Sequence, residues 1–218
     1  MHDIIVHGEA QSFWVKVPKT GTKAYRALLF PGNECICGSA ECLHFHTHST
    51  YRELAELYGQ TLPGFSVVRH PVTRFRSALN HLLPLYNTTF ADTEALCDFL
   101  EHSQLGSYVT SEPFLEPLFD TTPCTIPFSD IADLTHTLFM PQMYWAYHPQ
   151  VTIFHYENLP KFNSYLATLG YDTSTLQQRN VRPNQLAHID FTHSRITSIV
   201  ERLYRDDYEV FGYPLTTQ

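Results

Sequence analysis

Hydrophobic positions along the chain follow two periods, one of strands and one of helices. Phe13-Trp14-Val15-Lys16-Val17 is a short aromatic and β-branched run stopped by Pro18, which predicts a buried strand opening into a loop. Ala24 to Phe30 predicts a helix. Leu43 to Thr47 predicts a second strand, and Thr50 to Tyr58 a helix with Leu54, Leu57 and Tyr58 on one face. Phe65-Ser66-Val67-Val68-Arg69 predicts a third strand ending at His70-Pro71, with helical spacing from Val72 to about Leu83. Val151 to His155 predicts a fourth strand, Lys161 to Leu169 a helix closed by Gly170, and Ser194 to Tyr208 a long amphipathic helix. Periodicity is weaker from Asn87 to Pro149, which is Pro-rich. Strand, loop and helix recurring in this order predict an α/β fold with a central parallel sheet flanked by helices, and ligands at the carboxyl ends of the strands. Functional loops are therefore expected after Val17, Thr47, Arg69 and His155.

At 218 residues with 43% apolar and 14% aromatic content, the chain can bury one large core, whereas two halves would each be marginal. A single domain over residues 1–218 is expected. The formal net charge of −8 argues against a general attraction to nucleic acid or an anionic membrane, so any anionic ligand must be held by a few local cations. The first residues, MHDIIVHGEAQSFWVKV, carry neither a signal-peptide pattern nor an apolar run of the roughly 20 residues that spans a bilayer. Cys35, Cys37, Cys42, Cys97 and Cys124 are odd in number, against a complete disulfide framework. A soluble chain in a reducing, cytoplasmic setting is the expectation.

The first expected loop reads Pro18-Lys19-Thr20-Gly21-Thr22-Lys23. Between a strand and a helix it offers a Gly for close backbone approach, amides at a helix N-terminus, hydroxyls and two cations, a combination suited to phosphate or sulfate. It is not a Walker A loop, because Lys16 stands where the upstream Gly is required. In the second loop Arg69 sits at a strand end, where its planar fork can take a phosphate bidentately, and Ser77 lies on the following helix. Arg74 and Arg76 read as the solvated face of that helix. Two anion loops on adjacent strands suit a ligand with two separate anionic groups.

These segments resemble the sulfotransferase superfamily, more closely its carbohydrate branch than its cytosolic branch. In that family a P-K-[ST]-G-[TG]-[TS] loop binds the 5′-phosphosulfate of the donor PAPS (3′-phosphoadenosine 5′-phosphosulfate), and a V-R-[DNH]-P-x-x-R-x-x-S segment binds its 3′-phosphate. Val17 to Lys23 and Val68 to Ser77 match the two in the same order, with Thr22, Lys23 and Ala24 departing from the G-T-S common in the carbohydrate branch. Weaker likeness extends to Phe154-His155-Tyr156-Glu157-Asn158-Leu159, to Asn180, and to Tyr204 through Tyr213. The resemblance implies a P-loop-like sulfotransferase fold and transfer of a sulfuryl group from PAPS to an acceptor hydroxyl, with PAP as product and no metal. Pro18, Lys19, Thr20, Gly21, Thr22 and Lys23 would then hold the 5′-phosphosulfate, with Lys19 serving the leaving oxygen, while Arg69 and Ser77 hold the 3′-phosphate. The acceptor would be a small molecule or glycan, for which Phe114, Tyr144, Trp145 and Tyr147 are candidate ring contacts. Glu112 to Met143 matches no family segment, and acceptor specificity is expected there.

Cys35, Cys37, Cys42, His44, His46 and His48 form the one segment suggestive of a metal. Histidines at every second position of a strand project to one side in a row rather than around a tetrahedron, which disfavours zinc. The family resemblance gives the row another use, because an essential His commonly stands near the end of the strand between the two PAPS loops. His48-Ser49-Thr50-Tyr51-Arg52-Glu53-Leu54 resembles the family's H-x-[ST]-x-x-E-L stretch. His48 is the first choice for general base and His46 the second; spacing alone does not separate them from His44. The rival readings are a small P-loop kinase, against which Lys23-Ala24 lacks the Walker hydroxyl, and a zinc-stabilised interaction module built on Cys35 to His48.

Overall fold

A computed structural model describes residues 4–7, 10–30, 48–103, 105–108, 135–176 and 184–216. In chain order its elements are β1 (Ile4–His7), β2 (Ala10–Val15), α1 (Thr22–Leu29), α2 (Tyr51–Tyr58), β3 (Gly64–Val68), α3 (Pro71–Leu82), α4 (Thr93–His102), α5 (Leu105–Tyr108), α6 (Gln142–Ala146), β4 (Val151–His155), α7 (Leu159–Thr168), α8 (Ser194–Leu203) and α9 (Arg205–Phe211). The protein is α/β. Among the described residues the sheet runs β1-β2-β3-β4, with β2, β3 and β4 parallel and β1 antiparallel to β2. The antiparallel edge was not expected from the sequence. Only Gly8 and Glu9 separate β1 from β2, and a connection that short permits antiparallel pairing but no parallel crossover. The expected strand Leu43 to Thr47 lies outside the described residues.

Contacts group the chain into two compact units, Met1–Arg69 with Gln142–Val181 and His70–Pro141 with Arg182–Gln218. In the first unit the strand period of two sorts side chains to opposite faces of the sheet. Trp14, Phe65, Val67 and Phe154 point to one face and form a core with Tyr25 and Leu29 of α1 and Phe162 and Leu166 of α7. Phe13 points to the other face, where the rings of Tyr51 and Tyr58 of α2 pack on it at 5.7 and 5.8 Å. Gly64 lets Tyr51 lie against β3, since a Cβ there would meet the Tyr51 ring at 3.3 Å. All five residues of β3 are buried, as expected for a parallel strand covered on both faces. The buried stripe of α2 is Tyr51 and Leu54, whereas Leu57, expected to share it, is 70% exposed. α2 opens on a full capping box, in which the Thr50 hydroxyl accepts from the Glu53 amide and the Glu53 carboxylate accepts from the Thr50 amide.

In the second unit α8 packs on α3, α4 and α9. The long helix expected from Ser194 to Tyr208 divides at Tyr204, whose φ of −121° and ψ of 28° leave the helical region. Its buried hydroxyl donates to the Phe139 carbonyl at 2.9 Å, and this tertiary anchor overrides the continuous helical spacing. Arg74 is also corrected: it is buried, not on a solvated face, and its Nη2 donates to the carbonyls of Leu138 and Met140 at 3.0 and 2.7 Å. Burial pulls its guanidinium pKa down, opposed by the nearby Tyr204 and Asp207. Arg195 of α8 donates to Asp98 and Glu101 of α4 at 2.8 and 2.7 Å and pairs with Glu94, joining the helices through an exposed network. Among the described residues no helix is long and apolar enough to cross a membrane.

Candidate functional site

Most of the expected site residues that the structure describes fall in the first unit, those of the two motif loops at the carboxyl ends of β2 and β3. After β2, Lys16, Val17 and Pro18 stay buried but leave the strand, and the chain turns over Lys19 into α1. Lys19 adopts a φ of 68°, a left-handed conformation that an L-residue with a long side chain takes only at a cost. Gly21, at a φ of 84°, is the N-cap of α1 and gives no side-chain cap, and the first turn of α1 holds no acidic residue. The N-terminus of α1 therefore carries no side-chain cap, in a loop that also holds Lys19 and Lys23, the chemistry of an anion cradle. The Thr20 hydroxyl is used internally, donating to the Val17 carbonyl at 2.9 Å, so Thr20 closes the loop. Lys23 is exposed and Thr22 half-buried at the start of α1.

The second expected loop meets the first. Arg69, just past β3, donates from Nη1 to the Lys19 carbonyl at 3.3 Å. Its guanidinium lies 4.5 Å from the centroid of the Tyr156 ring, which follows β4. That ring also packs on Gly21, where a Cβ would stand 3.1 Å from Tyr156 Cε2. Gly21 thus serves twice, for its positive φ and for the approach of this ring. Arg69 is held at the backbone as well: its amide donates to Gln142 Oε1 at 2.8 Å and its carbonyl accepts from Gln142 Nε2 at 2.7 Å. Gln142 is fully buried at the start of α6. Tyr25 of α1 donates to Asn163 of α7 at 2.8 Å, tying down the helix that carries the cradle. Burial and the neighbouring Tyr156 push the Tyr25 hydroxyl up to about 12.

His48 also belongs to this unit. Its Nδ1 lies 2.7 Å from the Lys16 carbonyl. A carbonyl only accepts, so Nδ1 carries the proton and the basic atom of the neutral ring is Nε2. The His48 ring stands 6.2 Å from that of Trp145. Trp145 in turn lines a groove of about 350 Å³ between α2 and α6, together with Tyr51, Glu53, Tyr144, Tyr147 and His148. Tyr144 and Tyr147 are 41% and 65% exposed there, and burial followed by the Glu53 charge raises the Tyr144 hydroxyl.

Not every expected residue joins this group. Ser77 lies on α3 in the second unit, half-buried. His44, His46, Cys35, Cys37, Cys42, Cys124, Phe114 and Asn180 lie outside the described residues, as does most of Glu112 to Met143. Among the described residues no group of three His, Cys, Asp or Glu side chains is placed to hold a metal ion. Three residues of the group are not singled out as site residues by the sequence. Gln142 gave no local signal. Lys16 is 97% removed from solvent despite its charge, and only its strand position hinted at that. Tyr156 lies in the Phe154-to-Leu159 segment, at the carboxyl end of a predicted strand, which is the place where a parallel sheet assembles a site. Set against protein-family models, curated proteins and solved structures, the chain finds no match.

Proposed function

We propose that the chain is a sulfotransferase of P-loop-like fold that moves a sulfuryl group from PAPS to an acceptor hydroxyl, with carbohydrate as the acceptor class. The observation that carries this reading is the contact between the two motif loops. Arg69 of the second donates to the carbonyl of Lys19 in the first. An anion cradle and a strand-end guanidinium are thus adjacent, as a donor with phosphate at both its 5′ and 3′ positions requires. Their fit to such a ligand is further supported by the strained backbone of Lys19 and the uncapped N-terminus of α1.

When bound, PAPS supplies the sulfuryl group and a phosphate leaving group. In this reading the amides from Gly21 to Lys23 hold the 5′-phosphosulfate, and Lys19 neutralises the charge that grows on the leaving oxygen. Arg69 holds the 3′-phosphate. His48 Nε2 accepts the acceptor's proton as its oxygen attacks the sulfur in line. The Lys16 carbonyl fixes the required tautomer. The groove of Tyr144, Trp145 and Tyr147 is the acceptor site, its rings offering faces and Glu53 an acceptor for ligand hydroxyls. The test is a screen of glycans, phenols and small alcohols with labelled PAPS. Transfer of label to a glycan, lost in Lys19→Ala, supports the reading; no transfer to any of the three classes contradicts it.

A further inference from the structure

We propose that Tyr156 and Gln142 are positioning residues that hold Arg69 at the Lys19 loop, and that they thereby set the preference for a nucleotide carrying a 3′-phosphate. This rests on the sulfotransferase reading and assigns roles to two residues outside both motif loops. Arg69 leaves β3 as a long side chain with many rotamers, and a guanidinium that must wait for an anion gains from being ordered beforehand. Two devices order it. The buried Gln142 amide bonds both the N–H and the C=O of Arg69, at 2.8 and 2.7 Å, so the point where the side chain begins is fixed from both sides. The Tyr156 ring, 4.5 Å under the guanidinium, supports the far end. Because the same ring rests on Gly21, one side chain joins the carboxyl ends of all three parallel strands: the loop after β2, Arg69 after β3 and its own segment after β4. Arg69 then reaches the Lys19 carbonyl at 3.3 Å.

The experiment measures calorimetric affinities for PAP and AMP in the full chain, with a thermal melt to establish that each variant folds. Tyr156→Phe keeps the ring and keeps the wild-type ratio of PAP to AMP affinity. Tyr156→Met keeps much of the volume without the ring, and lowers PAP affinity about tenfold while leaving AMP affinity near wild type. Gln142→Glu replaces the donor to the Arg69 carbonyl with an acceptor, and lowers the ratio in the same direction. A general weakening of the fold would lower both affinities together. If the folded Tyr156→Met or Gln142→Glu protein retains the wild-type ratio, the positioning role of that residue is overturned while the sulfotransferase reading stands. A wild-type chain that does not prefer PAP to AMP overturns both.

Discussion

Lys19 offers a test in which stability and activity move in opposite directions. Its φ of 68° costs an L-residue about 1–2 kcal/mol relative to the right-handed region, a cost glycine does not bear. Glycine in turn loses about 0.5–1 kcal/mol more backbone entropy than alanine on folding. Lys19→Gly should therefore be more stable than Lys19→Ala by about 1 kcal/mol, the reverse of the order at an ordinary loop position. In a chain of 218 residues this is a difference in Tm of about 2–4 °C, read by differential scanning calorimetry. Both variants lose the ammonium that the proposed function assigns to the leaving oxygen, and both should turn over about a hundredfold more slowly or worse, with a smaller change in PAP affinity. Lys19→Ala as stable as Lys19→Gly would refute the backbone assignment. Either variant with normal kcat and only a raised KM would show that Lys19 merely binds the nucleotide.

His48→Ala should leave PAP affinity nearly intact and abolish transfer, whereas His44→Ala keeps activity; a normal His48→Ala with a dead His46→Ala would move the base two residues along the chain. Arg74→Met leaves the Leu138 and Met140 carbonyls without their donor and should destabilise the protein by about 2 kcal/mol or more, seen as a lower urea midpoint, while Arg76→Met at the neighbouring half-buried position costs less. For Tyr25 the folded hydroxyl is pushed up to about 12 from an ordinary value of 10.0, so the folded state holds its proton longer than the unfolded state. Its contribution is present below pH 10 and falls as pH rises from about 10 to about 12, and Tyr25→Phe should flatten the alkaline limb of a stability-against-pH curve.

What the sequence makes legible is local. β3 and β4 are dense in aromatic and β-branched residues, and the structure places them within one residue of the predicted strands. α3 starts where Pro71 permits its first turn, and α7 closes at Gly170, which takes a φ of 89°. Reading fails where a distant contact overrides local pattern. Tyr204 carries helical spacing on both sides yet breaks the helix because its hydroxyl is held by Phe139, 65 positions away. Arg74 reads as a surface cation because nothing nearby in sequence announces the two carbonyls that pair with it. α4 falls in the Pro-rich middle of the chain, although Asp92 caps it by accepting from the Ala95 amide at 2.9 Å. At the site, the cradle and Arg69 are motif-borne and legible. Gln142 and Tyr156 act across the fold, 73 positions away in the first case, and become visible only when the strands are assembled.

The central claim is that the two loops hold one nucleotide at both of its anionic ends. Calorimetric titration of the full chain with PAP and with AMP tests it most directly, because the two ligands differ only in the 3′-phosphate assigned to Arg69. Charge-assisted hydrogen bonds of this kind contribute about 1.5–3 kcal/mol each, so PAP should bind at least about tenfold more tightly, and Arg69→Ala should bring the two affinities together. Equal affinities for PAP and AMP in the wild-type chain would contradict the account.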